Sequence, residues 1–145
     1  NISKILERIF LARLQPHITS SSNFNPLQSA YRKHHSTETA LLNTLDHIYT
    51  SADKSQPTVL VALDLSAAFD TIDHSTLLFR LHSDFGVSGA ALSWIHTYLT
   101  DRKQLVTVGH CNSPVTTVLS GVPQGSVLGP LLFTSYISPL GHLIN

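Results

Sequence analysis

The sequence predicts a mixed α/β domain of the α+β kind, with helices packed on one face of a small, largely antiparallel sheet. Three observations carry this expectation. Apolar residues recur at helical spacing in several segments, a continuous β-branched run occupies Thr58 to Leu63, and the apolar period changes to two between residues 105 and 118. With 145 residues and 42% hydrophobic content, the chain is long enough to bury one core.

Ile2, Ile5, Leu6 and Ile9 share a helical face, and Pro16 marks where that helix should stop. A Ser/Asn-rich loop from Thr19 to Pro26 leads to a second helix with Leu41, Leu45, Ile48 and Tyr49 on one face and Ser36 as its N-cap. The turn-rich stretch from Ser51 to Pro57 ends it. Thr58 to Leu63 reads as a strand covered by neighbours, with Asp64 at its C-terminal end. Asp73 caps a helix bearing Leu77, Leu78 and Leu81, which Gly86 closes in a left-handed conformation. Ser88 caps the next, with Leu92, Ile95 and Leu99 on one stripe. Leu105 to Val108 and Val115 to Val118 form a hairpin with a long tip containing Gly109, Asn112 and Pro114. Pro130 to Tyr136 is a helix with Pro130 in its first turn, and Ser138-Pro139 offers a second start.

Composition excludes several classes. Nine Lys+Arg balance nine Asp+Glu, so the chain lacks the basic excess of an autonomous nucleic-acid binder. The single Cys111 cannot form an internal disulfide, and neither a signal-like start nor an apolar run long enough to span a bilayer is present, which points to an intracellular setting in nucleus or cytoplasm. No Met occurs anywhere, so the chain reads as a fragment of a longer reading frame. The nine histidines are scattered, lack Cys partners and show no H-E-x-x-H pattern, which favours ordinary surface or core histidines over zinc. Trp94 and Tyr98, one helical turn apart, read as core packing rather than a base-stacking platform.

The chemistry concentrates in two strings. Val61-Ala62-Leu63-Asp64-Leu65-Ser66-Ala67-Ala68-Phe69-Asp70-Thr71-Ile72-Asp73 carries three carboxylates after an apolar run. A carboxylate at the end of a buried strand is costly unless paired, hydrogen-bonded or bound to a metal. An aspartyl-phosphate enzyme needs a second Asp two positions on, and Ser66 stands there instead. The plainer alternative makes all three Asp residues loop and cap residues. The second string, Gly121-Val122-Pro123-Gln124-Gly125-Ser126-Val127-Leu128-Gly129-Pro130, reads as a glycine-rich loop entering a helix. Gln124 supplies an amide that can donate and accept at a sugar or base edge. No Lys follows the glycines, so this is not a Walker A loop, and it is not a G-x-S-x-G elbow.

Together the strings resemble motifs A and B of reverse transcriptases of non-LTR (LINE-type) retrotransposons. Gln28 to Thr37 resembles the family's segment between fingers and palm, and Asn1 to Arg8 the segment after its fingers motif. The resemblance implies a partial polymerase palm: residues 1–57 as a fingers-to-palm helical segment and 58–145 as palm with motifs A and B. It implies Asp64 as catalytic, metal-binding aspartate, Leu65 as a backbone-carbonyl metal ligand, and Phe69 as the steric gate that selects deoxynucleotides. Gln124, Gly125 and Arg32 would be nucleotide-binding, and Asp70 a hydrogen-bonding carboxylate. The implied cofactor is Mg2+ or Mn2+, as a pair of ions roughly 4 Å apart. The implied partners are an RNA template, a DNA primer and dNTP, with no membrane. Neither the family's aromatic-Ala-Asp-Asp motif nor its thumb falls within the 145 residues. The isolated chain is therefore expected to be inactive and to bind nucleic acid weakly or not at all. The alternative is a non-catalytic remnant or repurposed protein-interaction module.

Overall fold

The computed structural model describes residues 2–141. They are α1 (Ile2–Thr19), α2 (Thr37–Asp53), α3 (His74–Ser83), α4 (Gly89–Leu99), β1 (Lys103–Gln104), β2 (Thr107–Val108), β3 (Cys111–Asn112), β4 (Thr116–Thr117) and α5 (Gly129–Ile137). The mixed α+β class is as expected. The layering differs, because all four strands are exposed while α3 packs on α4 and α5. Residues 2–25 with 67–141 form one compact unit and 26–66 another.

The first unit holds the core. Leu14, Ile18, Ile72, Leu77, Leu81, Ile95, Leu99, Leu128 and Leu132 are buried together. Trp94 stacks between Phe10 and Tyr98, at 4.2 and 5.5 Å between ring centroids, so these aromatics pack within the fold as expected.

Two expectations for α1 are corrected. The predicted stripe of Ile2, Ile5, Leu6 and Ile9 faces outward, with Ile2 78% exposed; the buried side carries Glu7, Leu14 and Ile18, flanked by Phe10 and Leu11. Both stripes satisfy helical spacing, and only the neighbours decide which is covered. The helix also runs past Pro16. The ring removes one intrahelical hydrogen bond, yet the last turn is held by complete burial of Ile18, by His17 Nε2 at 2.7 Å from Phe85 O, and by the Ser20 N–H donating to Pro16 O.

The α3 start is as read: Asp73 accepts from the Thr76 N–H at 2.7 Å. At its far end Gly86 has φ +67°. Ser88 occupies the N-cap position of α4 without a side-chain cap bond. The hairpin lacks the expected long tip: β2 pairs with β3 across Gly109-His110, and Gly109, at φ +62°, takes the left-handed conformation a two-residue primed turn requires first. The base is closed by β1 and β4, with Lys103 opposite Thr117.

In the second unit, Ser36 caps α2 with a reciprocal capping box to Thr39. The helix buries none of its residues. The expected strand from Thr58 to Leu63 is not formed; Val59 is 86% and Leu63 78% exposed. β-branched residues favour an extended chain, but a strand exists only through a hydrogen-bonded neighbour, and the ladders lie elsewhere. Asp64 accordingly does not end a buried strand.

Candidate nucleotide site

The second half of motif A and the glycine-rich loop are joined directly. Ser66 to Asp70 is a turn in which the Asp70 N–H donates to Ala67 O at 2.8 Å. The chain then runs antiparallel to the loop: the Gly121 N–H donates to Ile72 O at 2.7 Å, the Val122 N–H to Phe69 O at 2.9 Å, and the Ser120 hydroxyl to Asp70 O at 3.1 Å. Gly121 is required for this approach. It sits at φ +83°, and a Cβ there would lie 2.9 Å from both Asp70 Cα and Asp70 O. His74 closes the corner with Nε2 at 2.7 Å from Gly121 O; a carbonyl only accepts, so that nitrogen carries the proton.

The Gln124 amide nitrogen lies 3.2 Å from each Asp70 carboxylate oxygen. A carboxylate only accepts, so the amide turns its nitrogen to Asp70 and leaves Oε1 for other partners. The two side chains line a cleft of about 740 Å³ with Arg102, Lys103, Gln104 and Ser120. Beyond Gln124, Gly125 has φ +74° and open space around its Cα. Phe69 packs its ring 4.8 Å from Phe133 on α5. Phe69, Asp70, Gln124 and Gly125 are thus carried by one unit. Asp64, Leu65 and Arg32 belong to the other.

Within that second unit, Asp64 is exposed and its Oδ1 accepts from the Leu65 N–H at 2.9 Å. Arg32 donates to Pro26 O at 2.6 Å. Among the described residues no three His, Cys, Asp or Glu side chains gather. A divalent ion of this kind takes about six oxygen ligands. One carboxylate, engaged with its own backbone, does not make such a site, so the described residues alone do not furnish one.

Sequence reasoning missed Glu7. Its carboxylate is buried, at 6% exposure, and accepts from the Val127 N–H at 2.8 Å, the Tyr98 hydroxyl at 3.3 Å and the Ser3 hydroxyl at 3.1 Å. Burial raises the Tyr98 phenol above its ordinary value, and the Glu7 charge adds to the rise. The available signal was an acidic residue on the same helical stripe as Phe10, Leu14 and Ile18.

The family described as reverse transcriptase (RNA-dependent DNA polymerase) matches over residues 1–145. The chain belongs to the reverse transcriptase family. It is 31% identical over 140 residues to a probable RNA-directed DNA polymerase from transposon BS of Drosophila melanogaster, covering 97% of this chain and 15% of that protein. It is 29% identical over 140 residues to the RNA-directed DNA polymerase from mobile element jockey of Drosophila funebris, again 97% and 15%. Over 86 residues, 59% of this chain and 14% of the relative, it is 30% identical to a Pol polyprotein from the type-1 retrotransposable element R2 of Popillia japonica. The chain spans about 15% of the length of the first two. These relatives agree with the non-LTR retrotransposon family that motifs A and B resemble.

Proposed function

We propose that the chain is the part of an RNA-directed DNA polymerase that forms one wall of its nucleotide site, acting in the complete enzyme on an RNA template, a DNA primer and dNTP. The observation that carries this is the clasp between motif A and the glycine-rich loop: Gly121 packed against Asp70, and Asp70 holding the Gln124 amide. In this reading Phe69 screens the sugar and Gln124 and Gly125 face the nucleotide. Arg32 meets its phosphates or those of the template. Residues 58–145 contribute palm and 1–57 lead into it.

The family implies a divalent cation in general. Asp64 and the Leu65 carbonyl are proposed as its contribution from this chain, Mg2+ or Mn2+ being the hard ions that oxygen donors suit. The 145-residue polypeptide tested by itself is expected to be inactive, because Asp64 alone supplies one carboxylate where two-ion transfer needs several. No helix of the described residues is long and apolar enough to cross a membrane.

Two primer extensions on an RNA template with magnesium test the reading. The isolated polypeptide should give no product. A jockey polymerase whose matching 140 residues are replaced by this chain should extend, and lose extension on Asp64→Ala. A folded chimera that binds template but never extends would favour the second reading, a non-catalytic remnant or interaction module.

A further inference from the structure

We infer that Glu7 is a positioning residue that sets the conformation of the glycine-rich loop from outside it. The loop is fixed at its start by the backbone bonds of Gly121 and Val122 to the motif A turn. Its end enters α5 through Leu128, an N-cap residue with no side chain able to accept a hydrogen bond. The first N–H groups of a helix have no intrahelical partner and carry partial positive charge. Ser126 satisfies one, its Oγ accepting from the Gly129 N–H at 2.9 Å. Glu7, 120 residues upstream on α1, supplies the acceptor for Val127 at 2.8 Å and brings a negative charge to the same helix end. The carboxylate is buried, so its place is fixed by what surrounds it: Tyr98 from α4 and Ser3 from its own helix complete its partners.

The loop is therefore pinned at Gly121-Val122 and at Val127, and the span between holds Gln124 and Gly125. Within the span a turn closes on itself, the Ser126 N–H donating to Pro123 O at 3.0 Å, and a Cβ placed on Gly125 would meet nothing within 4 Å, so the turn has room to shift as a unit with its Val127 end. Moving the Val127 anchor moves Gln124 relative to Asp70. The inference about function rests on the polymerase reading; the inference about the loop does not.

Amide hydrogen exchange on the 145-residue polypeptide tests the loop directly. In Glu7→Ala, exchange at Val127, whose N–H loses its acceptor, and at Ser126, whose N–H bonds Pro123 O in the adjoining turn, should rise about tenfold, the factor that a lost hydrogen bond to a charged acceptor carries, while α3 and α4 amides stay within twofold, roughly the scatter expected for independent sites. Glu7→Gln, which keeps an oxygen for Val127, should recover most of the protection. Unchanged loop exchange overturns the inference, and so does a uniform rise across the chain, which would make Glu7 a general fold residue. In the jockey chimera, Glu7→Ala should raise the KM for dNTP more than it lowers kcat, with Glu7→Gln near the parent. A kcat loss at constant KM would overturn positioning of the nucleotide loop. A parent chimera without activity counts against the polymerase reading only, and the exchange result then decides the role of Glu7.

Discussion

At the residue scale, Gly121 concentrates two constraints. Its φ of +83° lies where L side chains are strained, and a Cβ would sit 2.9 Å from the Asp70 backbone, which cannot swing away as a side-chain tip can. Gly121→Ala should cost about 2 kcal/mol or more. Urea unfolding decides it, and a loss under about 0.5 kcal/mol, the size of an ordinary surface change, would mean the turn shifts freely. Phe69 poses a different question because its ring already packs on Phe133. If it is the gate, Phe69→Val in the active chimera should admit ribonucleotides at the expense of little dNTP turnover. Unaltered sugar discrimination would leave the ring a packing residue only. Asp64 stands out in the sequence as a candidate, but its surroundings do not follow from the sequence: the apolar run before it predicts a buried strand, and the chain leaves Asp64 exposed.

At the element scale, α1 and α3 make opposite cases. The start of α3 is local in origin, since Asp73, Ser75 and Thr76 lie within one turn and create the cap among themselves. Their hydrogen bonds, Ser75 first and then Thr76, hold the Asp73 carboxyl down at about 2 from its ordinary 3.8. A lowered carboxylate contributes stability that is fully present above its unfolded pKa and lost as pH falls through the folded one. The stability gap between the wild type and Asp73→Asn should be constant above pH 4 and shrink toward pH 2. A gap that widens on acidification would be falsifying. The end of α1 is tertiary in origin: Pro16 argues for a stop, and the burial of Ile18 overrules it. Ile18→Ala should cost about 3 kcal/mol and fray residues 16–19, readable as lost helical amide protection. Loss of stability with the last turn intact would place its support in the His17 contact instead.

At the scale of the whole molecule, apolar surface is unevenly spent. Ile5, Leu6 and Ile9 on α1 and Val59, Val61 and Leu63 are all more than half exposed. Exposed apolar runs of this kind promote association, so the 145-residue polypeptide should sediment as oligomers at micromolar concentration. Replacing Val59, Val61 and Leu63 with Thr should shift it toward monomer; no shift would put the sticky surface on α1. The sequence by itself determined whatever depends on near neighbours: the caps Ser36 and Asp73, the stop at Gly86, the Ile95 and Leu99 stripe, Pro130 at the head of α5, and the family, through motif strings whose residues follow one another. Only the tertiary structure decided which stripe of α1 is buried, whether Thr58 to Leu63 pairs, and that Glu7 accepts from the Val127 amide 120 residues away, just before α5. The reason is physical: a cap or a left-handed glycine is settled within one turn of chain, whereas burial and β pairing belong to a residue and its partner together, and the partner is named only by the fold.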